Sequence, residues 1–309
     1  MTFNSAADAA ADAGADAGAL DLNLSLEAFL AAPKSAVASV APASIIYSVS
    51  GTRRGAAIAG KFKRGDEYVQ WSRVRMMACL DLIFAHGVRH VIMPLINPSQ
   101  FMEATPAYRE NLWDWLEQGL AGAEALAAYR RRGWRVRLPF AENLPRLREA
   151  GAAIERETGD GRDADGESKK YLWVFIIPEH NFLWRQALAR LSQSPANSTA
   201  EAIRLLYGAD IPPATLYLDF GKPVVSPDLA PPFLMGVLHC YWTQRPGYSL
   251  DERQLRTILY DYAFTRPTWQ EDKRGRAEQA LEHEELWRQD LIIGLGTRVG
   301  PFWYPVWPK

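Results

Sequence analysis

Short, almost wholly apolar segments alternate along this chain with longer helical patterns, and that alternation constrains the fold most. Ile45 to Val49, His90 to Ile96, Tyr171 to Ile177 and Thr215 to Asp219 each read as strands. A strand wetted on one face alternates apolar and polar residues. These strands do not alternate, so both of their faces must be covered. Helical patterns fall between them at 66–85, 108–129, 143–157, 182–193 and 199–207, and another at 251–264 follows the last strands. Trp134 to Leu138 and His239 to Trp242 read as two further strands, and 231–237 as the start of another helix. The series predicts an α/β fold with a mostly parallel central sheet flanked by helices.

The boundaries are marked by local chemistry. Ser25 suits the N-cap of a helix ending before Pro33, and His86-Gly87 closes the helix at 66–85. Residues 1–23 repeat Ala, Asp and Gly and read as a disordered tail. Residues 24–309 read as a single domain, with a surface loop in GDGRDADGESKK, a charged helix in the tail beyond about 267 and an extended C-terminal arm in VGPFWYPVWPK. The 35 basic and 36 acidic residues give a net charge of −1, which argues against a nucleic-acid partner. Two distant cysteines, Cys79 and Cys240, make neither a disulfide framework nor a zinc site. The acidic, Ala-rich start lacks a secretory pattern, so a cytoplasmic protein is expected.

In open α/β sheets ligands bind beyond the carboxyl ends of the strands. The turn after the first strand reads Ser50-Gly51-Thr52-Arg53-Arg54. Gly51 admits close backbone approach, Thr52 brings a hydroxyl, and Arg53 and Arg54 bring forked cationic donors that match phosphate oxygens. A helix starting here would add a favourable field. The histidines show no metal spacing, and Glu179-His180-Asn181 reads as an ordinary loop at a strand end. Trp113 and Trp115 cannot share a helical face, so at most one faces a pocket and the other reads as a dimer-interface or surface aromatic. No nucleotide-binding or hydrolase fingerprint is present.

The stretches SLEAFLAAP, SGTRRG, GDEY, FAHGVRHVIMPLI, LDFGK and LRTILYDYAFTR follow one another in order, with Tyr68 at a set interval before His86-Gly87. From about residue 25 to the C-terminus the chain resembles the tuberculosinol/isotuberculosinol synthase (tuberculosinyl transferase) family, within the cis-prenyltransferase, undecaprenyl diphosphate synthase-like fold. The resemblance implies a homodimeric terpene synthase or prenyl-type transferase. Such an enzyme ionises an allylic prenyl diphosphate, in some cases a bicyclic one supplied by an upstream class II terpene cyclase. The carbocation is quenched by water, by another nucleophile or by proton loss. By position, Gly51, Thr52, Arg53 and Arg54 match the diphosphate-binding turn, and Tyr68 and Tyr108 match active-site tyrosines. Arginines would stabilise the leaving diphosphate, tyrosine faces would stabilise the cation, and a tyrosine hydroxyl could relay a proton.

Two departures matter. Ser50 stands where the family has Asp, which is a catalytic acid in the diterpene enzymes and holds Mg²⁺ in the chain-elongating ones. Serine brings no charge. Either another carboxylate substitutes or the chemistry has shifted, so Ser50 is retained as a catalytic candidate and Mg²⁺ dependence stays open. A non-catalytic prenyl-diphosphate-binding homologue or subunit is the alternative. Asp66 and Glu67 align with family acids but read as an exposed helix N-terminus. Residues 218–223 lack the arginines and the glutamate with which elongating enzymes hold isopentenyl diphosphate and metal. That disfavours a cis-prenyl chain-elongating transferase and leaves Lys222 as a phosphate contact or a surface residue. No metal ligand is assigned.

Overall fold

A computed structural model of the chain describes residues 24–61, 65–102, 105–159, 170–269 and 272–306. The tail at 1–23 and almost all of the loop at 159–170 lie outside the described residues.

Six parallel strands form the main sheet in the order β3-β4-β2-β1-β5-β6. They are β1 (Ser44–Tyr47), β2 (His90–Ile96), β3 (Trp134–Arg137), β4 (Lys170–Ile176), β5 (Ala214–Phe220) and β6 (Met235–Thr243). The chain fills one side of β1 with β2, β4 and β3, then crosses to the other side with β5 and β6. The carboxyl end of β1 therefore lies at the switch point of the sheet, where a crevice opens. All four residues of β1 are buried, as are all but one of β2. Both faces of the sheet are covered, as its apolar strands predict.

The helices follow the sequence patterns with instructive exceptions. Ser25 caps α1 (Leu26–Ala31), its Oγ accepting from Ala28 N at 3.2 Å. A short α2 (Lys34–Ala38) follows, and α3 (Thr52–Ile58) begins inside the arginine turn. The long α4 (Gly65–Ala85) ends at His86, which is fully buried. Its Nδ1 lies 2.8 Å from Leu82 O and its Nε2 3.3 Å from Glu252 Oε1.

A short α5 (Pro98–Met102) precedes the pattern at 108–129, which is two helices, α6 (Pro106–Ala121) and α7 (Ala123–Arg131). The break falls at Gly122, whose backbone is extended. A Cβ there would stand 2.4 Å from Gln118 O, so glycine alone fits. The next pattern starts late, with a 3₁₀ turn at 141–143 before α8 (Arg148–Thr158). α9 (Phe182–Gln193) and α10 (Thr199–Tyr207) match their patterns.

The helix expected at 231–237 is absent. Pro231 and Pro232 offer no amide donors, Phe233 turns left-handed at φ 65, and β6 begins at Met235. α11 (Glu252–Tyr260) widens into a π turn over 261–265. Its buried Arg256 donates to the carbonyls of Leu30 (3.1 Å) and Ala32 (2.6 Å), capping the end of α1. The charged stretch beyond 267 folds into two short helices, α12 (Arg276–Glu282) and α13 (Glu284–Trp287), and the C-terminal arm enters an antiparallel hairpin of β7 (Gly296–Val299) and β8 (Phe302–Pro305). Among the described residues no helix is long and apolar enough to cross a membrane.

Candidate active site

Two connected environments meet at the carboxyl end of β1. The first is polar. Ser50 and Gly51 lead into α3, with Gly51 left-handed at φ 72. Arg54 folds back over this turn. A Cβ on Gly51 would lie 2.6 Å from Arg54 Nη2, and one on Gly221 would lie 3.1 Å from it. Both glycines have positive φ, so β1 and β5 each end in a turn that leaves room for the guanidinium. Phe302 of the hairpin covers Arg54, with its ring centroid 5.2 Å from the guanidinium carbon. The C-terminal arm thus reaches the same site.

The second environment is an apolar pocket between α4 and α6, whose lining includes Thr52 and Arg53. Tyr68 and Tyr108 both line it. Thr52 Oγ1 and Tyr68 Oη are hydrogen-bonded at 2.7 Å, which ties the arginine turn to the pocket wall. Trp115 stands edge-on to both tyrosines, with ring centroids 6.3 Å from Tyr68 and 6.0 Å from Tyr108. Deeper in, the wall is Val69, Met76, Leu112, Leu116 and Leu120. On α6 the lining positions 108, 112, 115, 116, 119 and 120 make one helical stripe, about 18 Å long at ~1.5 Å per residue. Arg73 also lines the pocket and pairs with Glu124.

The expected residues divide between the two. Thr52, Arg53, Tyr68 and Tyr108 lie on the pocket, while Ser50, Gly51 and Arg54 form the polar corner beside it. Trp115 is the pocket tryptophan. Trp113 is half-buried, its ring centroid 4.8 Å from that of Phe101. Glu67 is exposed on the first turn of α4, and Lys222 is exposed as well. His180 and Asn181 lie apart from the pocket. His180 Nδ1 is 2.7 Å from Asp228 Oδ2, and Asn181 N donates to Asp228 Oδ1 at 2.7 Å. These bonds hold the Asp228 carboxyl below the usual range, although burial opposes them.

Asp219, at the end of β5, was visible in LDFGK but carried no assigned role. It is 4% exposed, and burial pushes its carboxyl above the usual range. Hydrogen bonds from Phe220 N at 2.6 Å and Tyr217 Oη at 3.0 Å oppose that rise, as do the nearby polar side chains of Ser50 and Ser48. Nothing in the sequence marks it, because pairing between β1 and β5 alone brings it to Ser50.

The fold implies Mg²⁺ at such a site, and magnesium needs several oxygen ligands, usually including carboxylates. Position 50 supplies a hydroxyl, and the oxygens of Asp219 already accept hydrogen bonds from within the protein. Among the described residues no three His, Cys, Asp or Glu side chains group to hold a metal ion. These donors do not fit a magnesium site, and no step below is routed through one.

No family model matches the chain. It is 41% identical over 281 residues to the (+)-kolavelool synthase of Herpetosiphon aurantiacus, covering 91% of this chain and 95% of the relative. It is 22% identical over 258 residues to the tuberculosinyl adenosine transferase of Mycobacterium tuberculosis, covering 79% and 84%. Among solved structures it resembles lavandulyl diphosphate synthase from Lavandula x intermedia, determined in complex with dimethylallyl diphosphate. The TM-score is 0.55 at 12% identity, over 73% of this chain and 96% of that one. A probable undecaprenyl diphosphate synthase from Campylobacter jejuni gives a TM-score of 0.50 at 12% identity, over 72% and 95%. The parallel sheet with its crevice at β1 is the fold of these prenyl diphosphate synthases, and with 41% identity along nearly its whole length the chain belongs to the enzyme family of the (+)-kolavelool synthase.

Proposed function

We propose that this enzyme is a terpene synthase that ionises an allylic prenyl diphosphate and quenches the resulting carbocation within the pocket. The observation that carries the reading is the Thr52–Tyr68 hydrogen bond of 2.7 Å. It ties a turn bearing two arginines to the wall of an aromatic-lined apolar pocket. An allylic diphosphate has the same two halves, a dianionic or trianionic head and a long hydrocarbon tail.

In this scheme the diphosphate lies at Arg53 and Arg54. The allylic C–O bond breaks and its electron pair leaves with the diphosphate, whose growing charge the arginines stabilise. The cation rests against the rings of Tyr68, Trp115 and Tyr108, whose π faces attract it. Desolvation by the leucines of α6 strengthens these interactions and limits access of water. Water attack gives an alcohol, another nucleophile a conjugate, and proton loss a hydrocarbon. The stripe along α6 is long enough for a tail of several isoprene units, which supports a diterpene-sized substrate. That the substrate arrives bicyclic from a class II cyclase, and that the enzyme is a homodimer, are parts of the proposal supported by the family resemblance. Chain elongation is disfavoured, since β5 ends in a buried Asp219 and an exposed Lys222 rather than in arginines.

The test is product analysis with geranyl, farnesyl, geranylgeranyl and one bicyclic diterpenyl diphosphate, with and without Mg²⁺. A terpene alcohol or hydrocarbon is expected from the wild type. Arg53→Ala should lower kcat/KM by about a hundredfold or more. Intact diphosphate after prolonged incubation with all four substrates would reject the reading.

A further inference from the structure

The pocket has a third tyrosine. Besides α4 and α6, its lining includes Val49 after β1, Leu95 and Ile96 on β2, and Tyr248 from the loop between β6 and α11. The Tyr248 backbone is left-handed at φ 66. Among the described residues Phe140, Asn181 and Phe233 share that feature, and none of them lines this pocket. A bulky side chain is held in this conformation only at an energetic cost, and such strained positions gather at functional sites. Neighbouring segments hold the loop in place. Arg75 Nε on α4 donates to Tyr248 O at 3.1 Å, Gly247 N donates to Ser50 O at 2.8 Å, and Ser249 N donates to Pro246 O at 3.2 Å. Tyr248 is thus tied both to the pocket helix α4 and to the start of the arginine turn.

Its hydroxyl is the unusual part. Tyr248 is 3% exposed, yet its Oη makes no hydrogen bond with any of the described residues. Unlike the Ser72 hydroxyl, it is not sealed from a water-sized molecule. Other polar groups of the lining are already engaged. Thr52 and Tyr68 hold each other, Arg73 pairs with Glu124, and Gln100 Oε1 accepts from Asn97 N at 2.9 Å. Phenylalanine would fill the same space and leave no hydroxyl to be satisfied. A strained backbone and an unsatisfied hydroxyl at one position of an apolar pocket point to a small hydrogen-bonding ligand there.

We propose that Tyr248 holds the water that quenches the carbocation, its hydroxyl fixing that water beside the bound hydrocarbon and so directing the reaction to an alcohol rather than to proton loss. The inference rests on the terpene synthase reading above. The step balances. The allylic C–O electron pair leaves with the diphosphate. The water oxygen forms the new bond to the cationic carbon, and the proton it sheds ends on an oxygen of the released diphosphate, the base that the reaction itself creates. Tyr248 is not that base. Burial pushes its phenol above the ordinary range, so it stays protonated and acts by hydrogen bonding alone. Apolar walls keep further water away, which makes the held molecule the one that reacts.

The test compares wild type with Tyr248→Phe, which keeps the ring. Diphosphate release and products are measured, in water enriched in oxygen-18, with whichever of the four diphosphates is turned over. The wild type should give an alcohol that carries the label. Tyr248→Phe should release diphosphate within about threefold of wild type, while its ratio of alcohol to hydrocarbon falls by about tenfold or more, the effect of one lost hydrogen bond. Its Tm should not fall, since no hydrogen bond within the protein is lost. A wild type that makes only hydrocarbon, or an alcohol without the label, overturns the proposal. So does an unchanged product ratio in the variant, or a lowered Tm, which marks a structural hydroxyl. If the wild type turns over none of the four, the function reading fails first. A crystal structure with an unreactive thiolo analogue of geranylgeranyl diphosphate then decides the placement. A water within hydrogen-bonding distance of Tyr248 Oη beside the bound tail, missing in Tyr248→Phe, is the expected result. A tail lying directly against Oη with no water between them overturns it.

Discussion

Thr52 and Tyr68 are sixteen residues apart in sequence, yet their hydroxyls lie 2.7 Å from each other. Thr52 opens α3, and Tyr68 belongs to the first turn of α4. Through this bond one tyrosine touches both halves of the site, its hydroxyl at the arginine turn and its ring at Trp115. The bond therefore bears on where a diphosphate sits relative to its hydrocarbon tail.

Removing the hydroxyl should separate positioning from cation stabilisation. Tyr68→Phe keeps the ring and frees Thr52. It should lower kcat about tenfold while KM changes little. Thr52→Val should do the same, and the double variant should be no worse than either single one. The coupling in the cycle is then about 1.4 kcal/mol, one tenfold step. Tyr68→Ala also removes the aromatic face and should fall by about a further tenfold. Steady-state diphosphate release measures all four. Additive losses from Tyr68→Phe and Thr52→Val would show that the two hydroxyls act apart.

A buried histidine predicts how stability depends on pH. His90 opens β2, stacked on Tyr171 with ring centroids 4.8 Å apart, and Trp173 Nε1 donates to its Nδ1 at 3.2 Å. Burial, aided by the charge of Arg89, pulls its pKa from 6.5 down to about 4. Between those values the unfolded chain binds a proton that the folded one does not. Stability contributed by neutral His90 is thus complete above about pH 6.5 and is lost as pH falls towards 4. Urea midpoints should rise from pH 4 to 6.5, by an amount equivalent to about 3 kcal/mol. His90→Gln keeps an acceptor for Trp173 but does not titrate, so it should flatten that rise. An unchanged slope in the variant would assign the dependence to other groups.

Much of the fold was legible because its strands are uniformly apolar and its helices periodic. The arginine turn and Tyr68 could be found by local spelling. What escaped depended on contacts between distant segments or on backbone exceptions. Gly122 breaks a continuous helical pattern because only a glycine clears Gln118 O there. The stretch at 231–237 has helix-compatible residues, but the left-handed Phe233 and the pairing of β6 with β5 override them. Asp219 reads as the end of a strand, and its burial beside Ser48 depends on β1 pairing with β5. Phe302 sits in an aromatic tail whose sequence gives no sign that it ends over Arg54.

Ser72 offers the last prediction, one of sign. It lies on α4 one turn beyond Tyr68 and lines the pocket, and its buried hydroxyl has no hydrogen-bond partner among the described residues. A buried hydroxyl left unpaired costs about 1–3 kcal/mol, and serine is also a poorer helix former than alanine. Ser72→Ala should therefore stabilise the free enzyme, by about 1 kcal/mol, which raises Tm by roughly 2 °C in a chain of this size. Thermal unfolding of the unliganded protein checks this. Repeating it with a non-hydrolysable prenyl diphosphate extends the test. If the bound tail leaves the hydroxyl unpaired, the advantage of alanine persists at saturation. If an oxygen of the ligand pairs with Ser72, the advantage shrinks or reverses. A variant less stable than wild type without ligand would show that the hydroxyl is already satisfied.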